Sequence, residues 1–414
     1  MTLFSSSALA QGVSLLVAPV LSRLFTPEDF GLVALYLAIL SVLSVFSTAK
    51  YEQAIMLPRD SSAAVHLFRL VLIISLVFSA FTAVAVLLFN SRITGLLGNS
   101  DISPWLYLLP LSLLLHAMVQ ASTFYANRKK EFKSIATTTI LQNISLNSVR
   151  LGDGFLKITG NGLISGQIIA QMVAAAYLTG KTLTRIRKAA VGFSPGEIKK
   201  QAIAYLQYPR FNMMLSLTNN LSGSLPVFLF TWGFSAEVAG LYAFGYTFVF
   251  RPLGLFSQST QQVLSQKTIE SYHSGRNIFP GLLKMAGRFF LAGIIPFVIF
   301  ALWAPDIFSF LFSDSYREAG TYLQILSPWL FMVYLSSPLS FLPELFFRQK
   351  KAMLIDLIYL VLRFAALITG IYLGDLKLTL ILFSGVSTIV VGYNLFWYLY
   401  LAKKGSSNSV GNVR

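Results

Sequence analysis

Apolar runs follow one another along the chain almost without interruption, and basic residues collect in every second gap between them. A bilayer core is crossed by roughly 20 apolar residues of helix. Residues 67–89 have that length and a single charge, Arg69, near their start. Residues 323–347, 354–373 and 378–401 read the same way, and about twelve such spans fit along the sequence. No segment alternates with the period of a transmembrane barrel strand, so the spans are helices. The predicted fold class is an all-α membrane protein of about twelve transmembrane helices.

Composition strengthens this reading. The chain is 55% hydrophobic and 12% charged, with mean hydropathy +0.67, about half the charged share of a soluble domain. The net charge of +16 raises the question of a nucleic-acid partner, and its distribution answers it. Gaps at 49–62, 126–134, 180–210, 264–288, 346–353 and from 402 onward hold 23 Lys and Arg, whereas the alternate gaps hold 5. This is the positive-inside bias. It predicts both termini in the cytoplasm and contact with anionic membrane lipids, not nucleic acid. There is no cysteine, which removes disulfides, Fe–S clusters and thiolate chemistry. Ala8-Leu9-Ala10 mimics a signal-peptidase site, but the apolar stretch ahead of it is only Met1–Phe4 and no basic residue precedes it. Residues 3–21 are therefore expected to be the first span, with the natural start a few residues upstream.

The chain divides near its middle, at the polar stretch 181–210. Within it Ser194-Pro195-Gly196-Glu197 has the form of a capping box with proline at the first helical position. The residues that follow fit either an amphipathic helix on the inner surface or a solvated linker. Two short motifs recur in register. Phe25-Thr26-Pro27-Glu28-Asp29-Phe30-Gly31-Leu32 follows span one, and Phe234-Ser235-Ala236-Glu237-Val238-Ala239-Gly240-Leu241 follows span seven. Arg128-Lys129-Lys130 follows span four, and Arg348-Gln349-Lys350-Lys351 follows span ten. These echoes predict two six-helix lobes, residues 1–180 and 204–402, related by a pseudo-two-fold along the membrane normal. Residues 181–203 join them and 403–414 form a disordered tail. Trp105, Trp232, Trp303 and Trp397 fall near span ends, as interface anchors do, while Trp329 sits deeper and reads as packing.

Catalytic signals are scarce. His66, His116 and His273 form no metal-spaced set, no phosphate loop is present, and no gap is long enough for a catalytic domain. The chain is expected to be no enzyme and to need no cofactor. The informative residues are charges at membrane depth, tolerated mainly where they face protein or water. Arg251 lies in span eight beside Pro252 and Gly254, and Gln258 follows in a polar run. Span seven offers Asn219 and Asn220. Arg150 and Asp153 share a face of span five. Arg363 lies two turns after Asp356 in span eleven, too far for a direct pair. Arg69 and Arg210 stand near inner span ends, where snorkelling is the plain alternative. These arginines with Asn219, Asn220 and Gln258 are the candidate binding residues. Asp153, Asp356 and Glu344 are candidates for ion coupling. The excess of intramembrane Arg over acid fits an anionic substrate such as a lipid-linked diphosphate.

Ser22-Arg23-Leu24-Phe25-Thr26-Pro27-Glu28-Asp29-Phe30-Gly31, then Tyr51-Glu52-Gln53-Ala54-Ile55-Met56-Leu57, resembles the opening signature of bacterial polysaccharide-biosynthesis flippases. Phe312-Ser313-Asp314-Ser315-Tyr316-Arg317-Glu318-Ala319-Gly320, with Leu326-Ser327-Pro328, resembles a later segment of that family. It belongs to the multidrug/oligosaccharidyl-lipid/polysaccharide exporter superfamily. The resemblance implies twelve helices in two bundles, alternating access, and flipping of an undecaprenyl-diphosphate-linked oligosaccharide, with a polysaccharide polymerase as a further partner. It hands over no binding residue. The rival readings are a cation-coupled multidrug or metabolite antiporter and a membrane-bound glycosyltransferase; the latter needs paired carboxylates in a sizeable loop, and none is evident.

Overall fold

The computed structural model describes residues 2–158 and 161–411, with side chains described for 11–158 and 161–404. Among the described residues there are twelve helices of 20 residues or more. They are α1 (Thr2–Leu24), α2 (Pro27–Thr48), α3 (Ser61–Leu97), α4 (Leu109–Arg128), α5 (Phe132–Leu156) and α6 (Gly162–Lys188). After a linker come α7 (Met213–Gly233), α8 (Ala236–His273), α9 (Phe279–Leu311), α10 (Arg317–Ser336), α11 (Gln349–Tyr372) and α12 (Leu376–Gly411). Seven, namely α2, α3, α6 and α9 to α12, are long and apolar enough by themselves to cross a membrane, α10 together with its flanking short turns. The helices α5, α7 and α8 fall below that hydropathy because they carry most of the polar residues singled out above.

Local chemistry sets the helix ends. Thr26 and Asp29 close a reciprocal capping box at the start of α2, with Pro27 in the first turn. The Asp60 carboxylate takes the Ser62 and Ala63 N–H groups at 3.0 and 3.3 Å to begin α3, and those N–H bonds hold its carboxyl below the usual range. Asn161 starts α6 by accepting from Leu163 N at 3.0 Å. In the linker a helix forms at Pro195–Ala204, with Ser194 Oγ accepting from Glu197 N at 3.3 Å. The box expected there is half made, since the Glu197 carboxylate pairs with Lys200 at 3.4 Å. Lys130 and Phe347, each two residues before a long helix, are both left-handed, at φ 58° and 55°.

The chain forms two compact units, Met1–Gly240 and Leu241–Arg414. In the first, a buried cluster gathers Tyr51, Ile55, Phe68, Tyr125 and Ile198 at the basic end of the helices. Linker residue Ile198 lies within it, so the linker helix is docked and amphipathic rather than solvated. The second unit is built largely on rings. Phe244 meets Phe312 at 4.8 Å and Tyr316 at 4.5 Å, and Phe256 stacks on Tyr334 at 5.0 Å. Trp329 is packed inside this unit, as expected. Trp397 departs from expectation. It is 6% exposed, with the Lys351 ammonium 4.9 Å from its ring centre, because α11 folds over it. Trp232 and Trp303 are exposed.

Candidate functional site

On α5, Asn143 and Asn147 donate to carbonyls one turn back, each at 2.9 Å. Both also reach Ser14 of α1, at 3.3 and 3.4 Å. Arg150 is half-buried, with its stem against α6; a Cβ on Gly166 would lie 2.8 Å from Arg150 Cγ. Asp153 is buried where α6 begins, and a Cβ on Gly162 would lie 2.6 Å from its Cγ. Only glycine admits a carboxylate so close to that helix start, where the dipole favours negative charge.

The polar residues of α7 divide. Asn220 donates to Ser41 O of α2 at 2.7 Å, and Ser224 meets Ser41 Oγ at 3.0 Å. Asn219 is exposed. Arg210 is exposed in a π-helical turn, Tyr208–Asn212, that leads into α7. Arg69 serves the linker: its guanidinium donates to Gly192 O and Val191 O at 2.5 and 2.6 Å, 5.9 Å from the Phe193 ring. Tyr51 Oη donates to Ala202 O at 2.9 Å, and Asn212 donates to Gln53 Oε1 at 2.8 Å. Tyr51 thus holds the last turn of the linker helix, and Gln53 holds the π-helical turn that follows it. Glu52 lies 3.7 Å from Lys50, and burial raises its carboxyl above the ordinary range.

In the second unit the two mid-span arginines part company. Arg363 is 7% exposed and enclosed by rings: Tyr359 and Phe383 centres lie at 4.8 Å and Trp329 at 5.4 Å. Tyr359 is one turn before it and was legible from spacing; Trp329 and Phe383 come from other helices. Arg251 is exposed on α8. Gln258 and Gln262 are exposed on the same helix at +7 and +11, which places all three within about 40° of one line along it. Between Val238 and Ile269 this helix has no acid. Asp356 is half-buried within α11, and Glu344 is exposed on the short helix Leu342–Leu345. Among the described residues no His, Cys, Asp or Glu set could hold a metal ion.

A family model described as a polysaccharide biosynthesis protein matches residues 20–268. No curated protein matches the sequence. Among solved structures, the chain is similar to an inward-facing multidrug resistance MATE family transporter of the MOP superfamily, at TM-score 0.72 and 12% identity over 97% of this chain and 95% of that one. It is similar to the lipid II flippase MurJ in an inward closed conformation, at TM-score 0.72 and 15% identity over 99% and 91%. A MOP superfamily transporter from Pyrococcus furiosus Vc1 matches at TM-score 0.61 and 12% identity over 98% and 94%. At these identities the likeness shows the fold: an all-helical membrane protein in two six-helix lobes.

Proposed function

The chain belongs to the polysaccharide biosynthesis protein family, and on that premise we propose that it flips undecaprenyl-diphosphate-linked oligosaccharide units across the bacterial inner membrane by alternating access. The product would supply O-antigen or a related surface polysaccharide. Family membership and the fold support a membrane flippase. The observation that carries the substrate class is the exposed line Arg251, Gln258 and Gln262 on a spanning helix. A lipid-facing guanidinium at that depth costs roughly 2.5–3.5 kcal/mol on insertion scales. An arginine aligned with two amides, and with no acid among them, is better satisfied by water and an anionic head group. A diphosphate accepts two parallel guanidinium hydrogen bonds, and amides suit sugar hydroxyls.

Arg251, Gln258 and Asn219, each exposed, are the binding residues we retain first, followed by Arg150 and Arg210. Arg69, Asn220 and Arg363 are engaged by the linker, by Ser41 and by rings, so their roles are read as structural. Of the carboxylates, Asp356 is our first choice for ion coupling, since Asp153 is seated at the α6 start and Glu344 lies at a helix end. The basic ends of the helices would face the cytoplasm, with both termini there.

Surface polysaccharide measured in cells that depend on this chain tests the proposal. Arg251→Ala is expected to cut export about tenfold or more at normal protein level, with Arg251→Lys retaining part of it. Full export by Arg251→Ala refutes the site. Cation-coupled drug efflux with surface polysaccharide unchanged would replace flipping by antiport.

A further inference from the structure

The second unit carries a cavity of its own at one end of its helices. Its volume is about 610 Å³, within the range of small-molecule sites. Glu318, Thr321, Tyr322 and Ile325 of α10 line one side, and Asp375 and Lys377, where α11 passes to α12, line the other. By the charge reading this end faces outward, because α10 begins and α11 ends opposite the basic loops. Both walls are fixed by the fold. A Cβ on Gly320 would lie 2.5 Å from Pro305 Cα, so the first turn of α10 is pressed onto α9. Gln324 donates to Leu302 O at 2.9 Å across the same helix pair. On the other wall Gly374 is left-handed, at φ 68°, and its N–H donates to Ile371 O at 2.9 Å to end α11. Asp375 Oδ1 then accepts from Leu378 N at 3.1 Å to start α12. Ser384 Oγ of α12 donates to Ile325 O at 2.6 Å and ties the two walls together.

The lining offers hydrogen bonds of both kinds. Glu318 and Asp375 are exposed acceptors, and Lys377 is an exposed donor. Among the described residues none of the three forms an ion pair. Tyr322, 6% exposed, donates its phenol to Glu318 Oε2 at 3.3 Å and so aims that carboxylate. Thr321 adds a hydroxyl and Ile325 an apolar surface. Two carboxylates against one ammonium repel an anion such as a phosphate. A divalent cation wants more oxygen ligands than two acids supply, and an ammonium beside them opposes it. An uncharged polyol meets neither objection. Carboxylates accept paired hydroxyls in charge-assisted bonds, and an ammonium donates to a ring or hydroxyl oxygen. We propose that this cavity is a carbohydrate site, which holds a neutral sugar ring by its hydroxyl groups at Glu318, Asp375 and Lys377. This deepens the flippase reading and rests on it for the source of the sugar, the glycan of a unit that has reached the outer face.

Saturation-transfer NMR on the purified protein in lipid nanodiscs tests this directly. The probes are the methyl glycosides of glucose, galactose, mannose, rhamnose and N-acetylglucosamine. At least one is expected to bind, and Glu318→Gln with Asp375→Asn is expected to weaken it about tenfold. Asp306→Asn, which removes an acid paired with Arg317 outside the lining, is expected to bind as the parent does. If the double variant fails to fold, Glu318→Gln alone decides. No signal from any of the glycosides overturns the site. A signal unchanged in the double variant puts the sugar elsewhere and overturns it as well. Saturable binding of tetraphenylphosphonium that the double variant loses, with no glycoside signal, would make this a cation site and overturn the proposal. Glycoside binding by a protein whose loss leaves surface polysaccharide unchanged would uphold the site and remove the flippase reading. No glycoside binding, with export still lost in Arg251→Ala, would do the reverse.

Discussion

Replacing Arg69 by alanine removes both guanidinium hydrogen bonds to the linker carbonyls of Val191 and Gly192 and the contact with the Phe193 ring. A hydrogen bond from a charged donor contributes roughly 1.5–3 kcal/mol when shielded. Arg69 is only half-buried and Gly192 is exposed, so each bond is discounted to about 1 kcal/mol. The pair then holds the segment 189–194 closed by about 2 kcal/mol, which corresponds to about 30-fold more opening once it is gone. Arg187 and Lys188, both exposed, stand immediately before this segment and are tryptic sites. With opening fast relative to cleavage, the rate of cutting there follows the open population. Limited trypsinolysis of Arg69→Ala in lipid vesicles should therefore cut at 187–188 about 30-fold faster than the parent, with Arg69→Lys intermediate. Equal rates for Arg69→Ala and the parent, at equal global melting temperature, would refute the claim that this arginine fastens the linker.

Three further outcomes follow from the same geometry. Burial raises the Glu52 carboxyl above its ordinary value, so between the two values the folded protein keeps a proton there that the unfolded chain has lost. Its stability is fullest below that window and falls as pH rises through it; Glu52→Gln should flatten this fall in a thermal melt followed from about pH 4 to 8. Gly162→Ala drives a methyl into the Asp153 side chain and should cost about 1–3 kcal/mol, read as a lower melting temperature, with Gly152→Ala, which would meet nothing within 4 Å, as the neutral control. Arg363→Ala empties a ring-lined enclosure and should lower the melting temperature, whereas Arg251→Ala should lower export and leave melting unchanged; the reverse pattern would exchange the roles assigned to the two arginines.

The reach of the sequence differs from helix to helix. Spans, caps and the polar line on α8 are local matters. Residues 251, 258 and 262 share a face because a helix has 3.6 residues per turn, whatever surrounds it. Thr26, Asp60 and Asn161 start helices by bonding their own neighbours, and the alternating basic gaps need no fold to be read. The linker helix was legible from its capping residues, while its docking on Tyr51 and Arg69 was not, since those residues lie more than a hundred positions away.

The sequence by itself determined that this chain is a bundle of membrane helices, where they begin, and which stripes are polar, because hydropathy and capping act within a turn or two. It presented Arg251 and Arg363 alike as guanidinium groups at membrane depth. Tertiary structure alone separated them, since Trp329 and Phe383 reach Arg363 from other helices while Arg251 stays exposed. It likewise seated Asp153 against Gly162 and brought two echoed glycines into contact. A side chain's partners depend on which helices pack beside it, and that packing is settled by the whole chain rather than by any window of it.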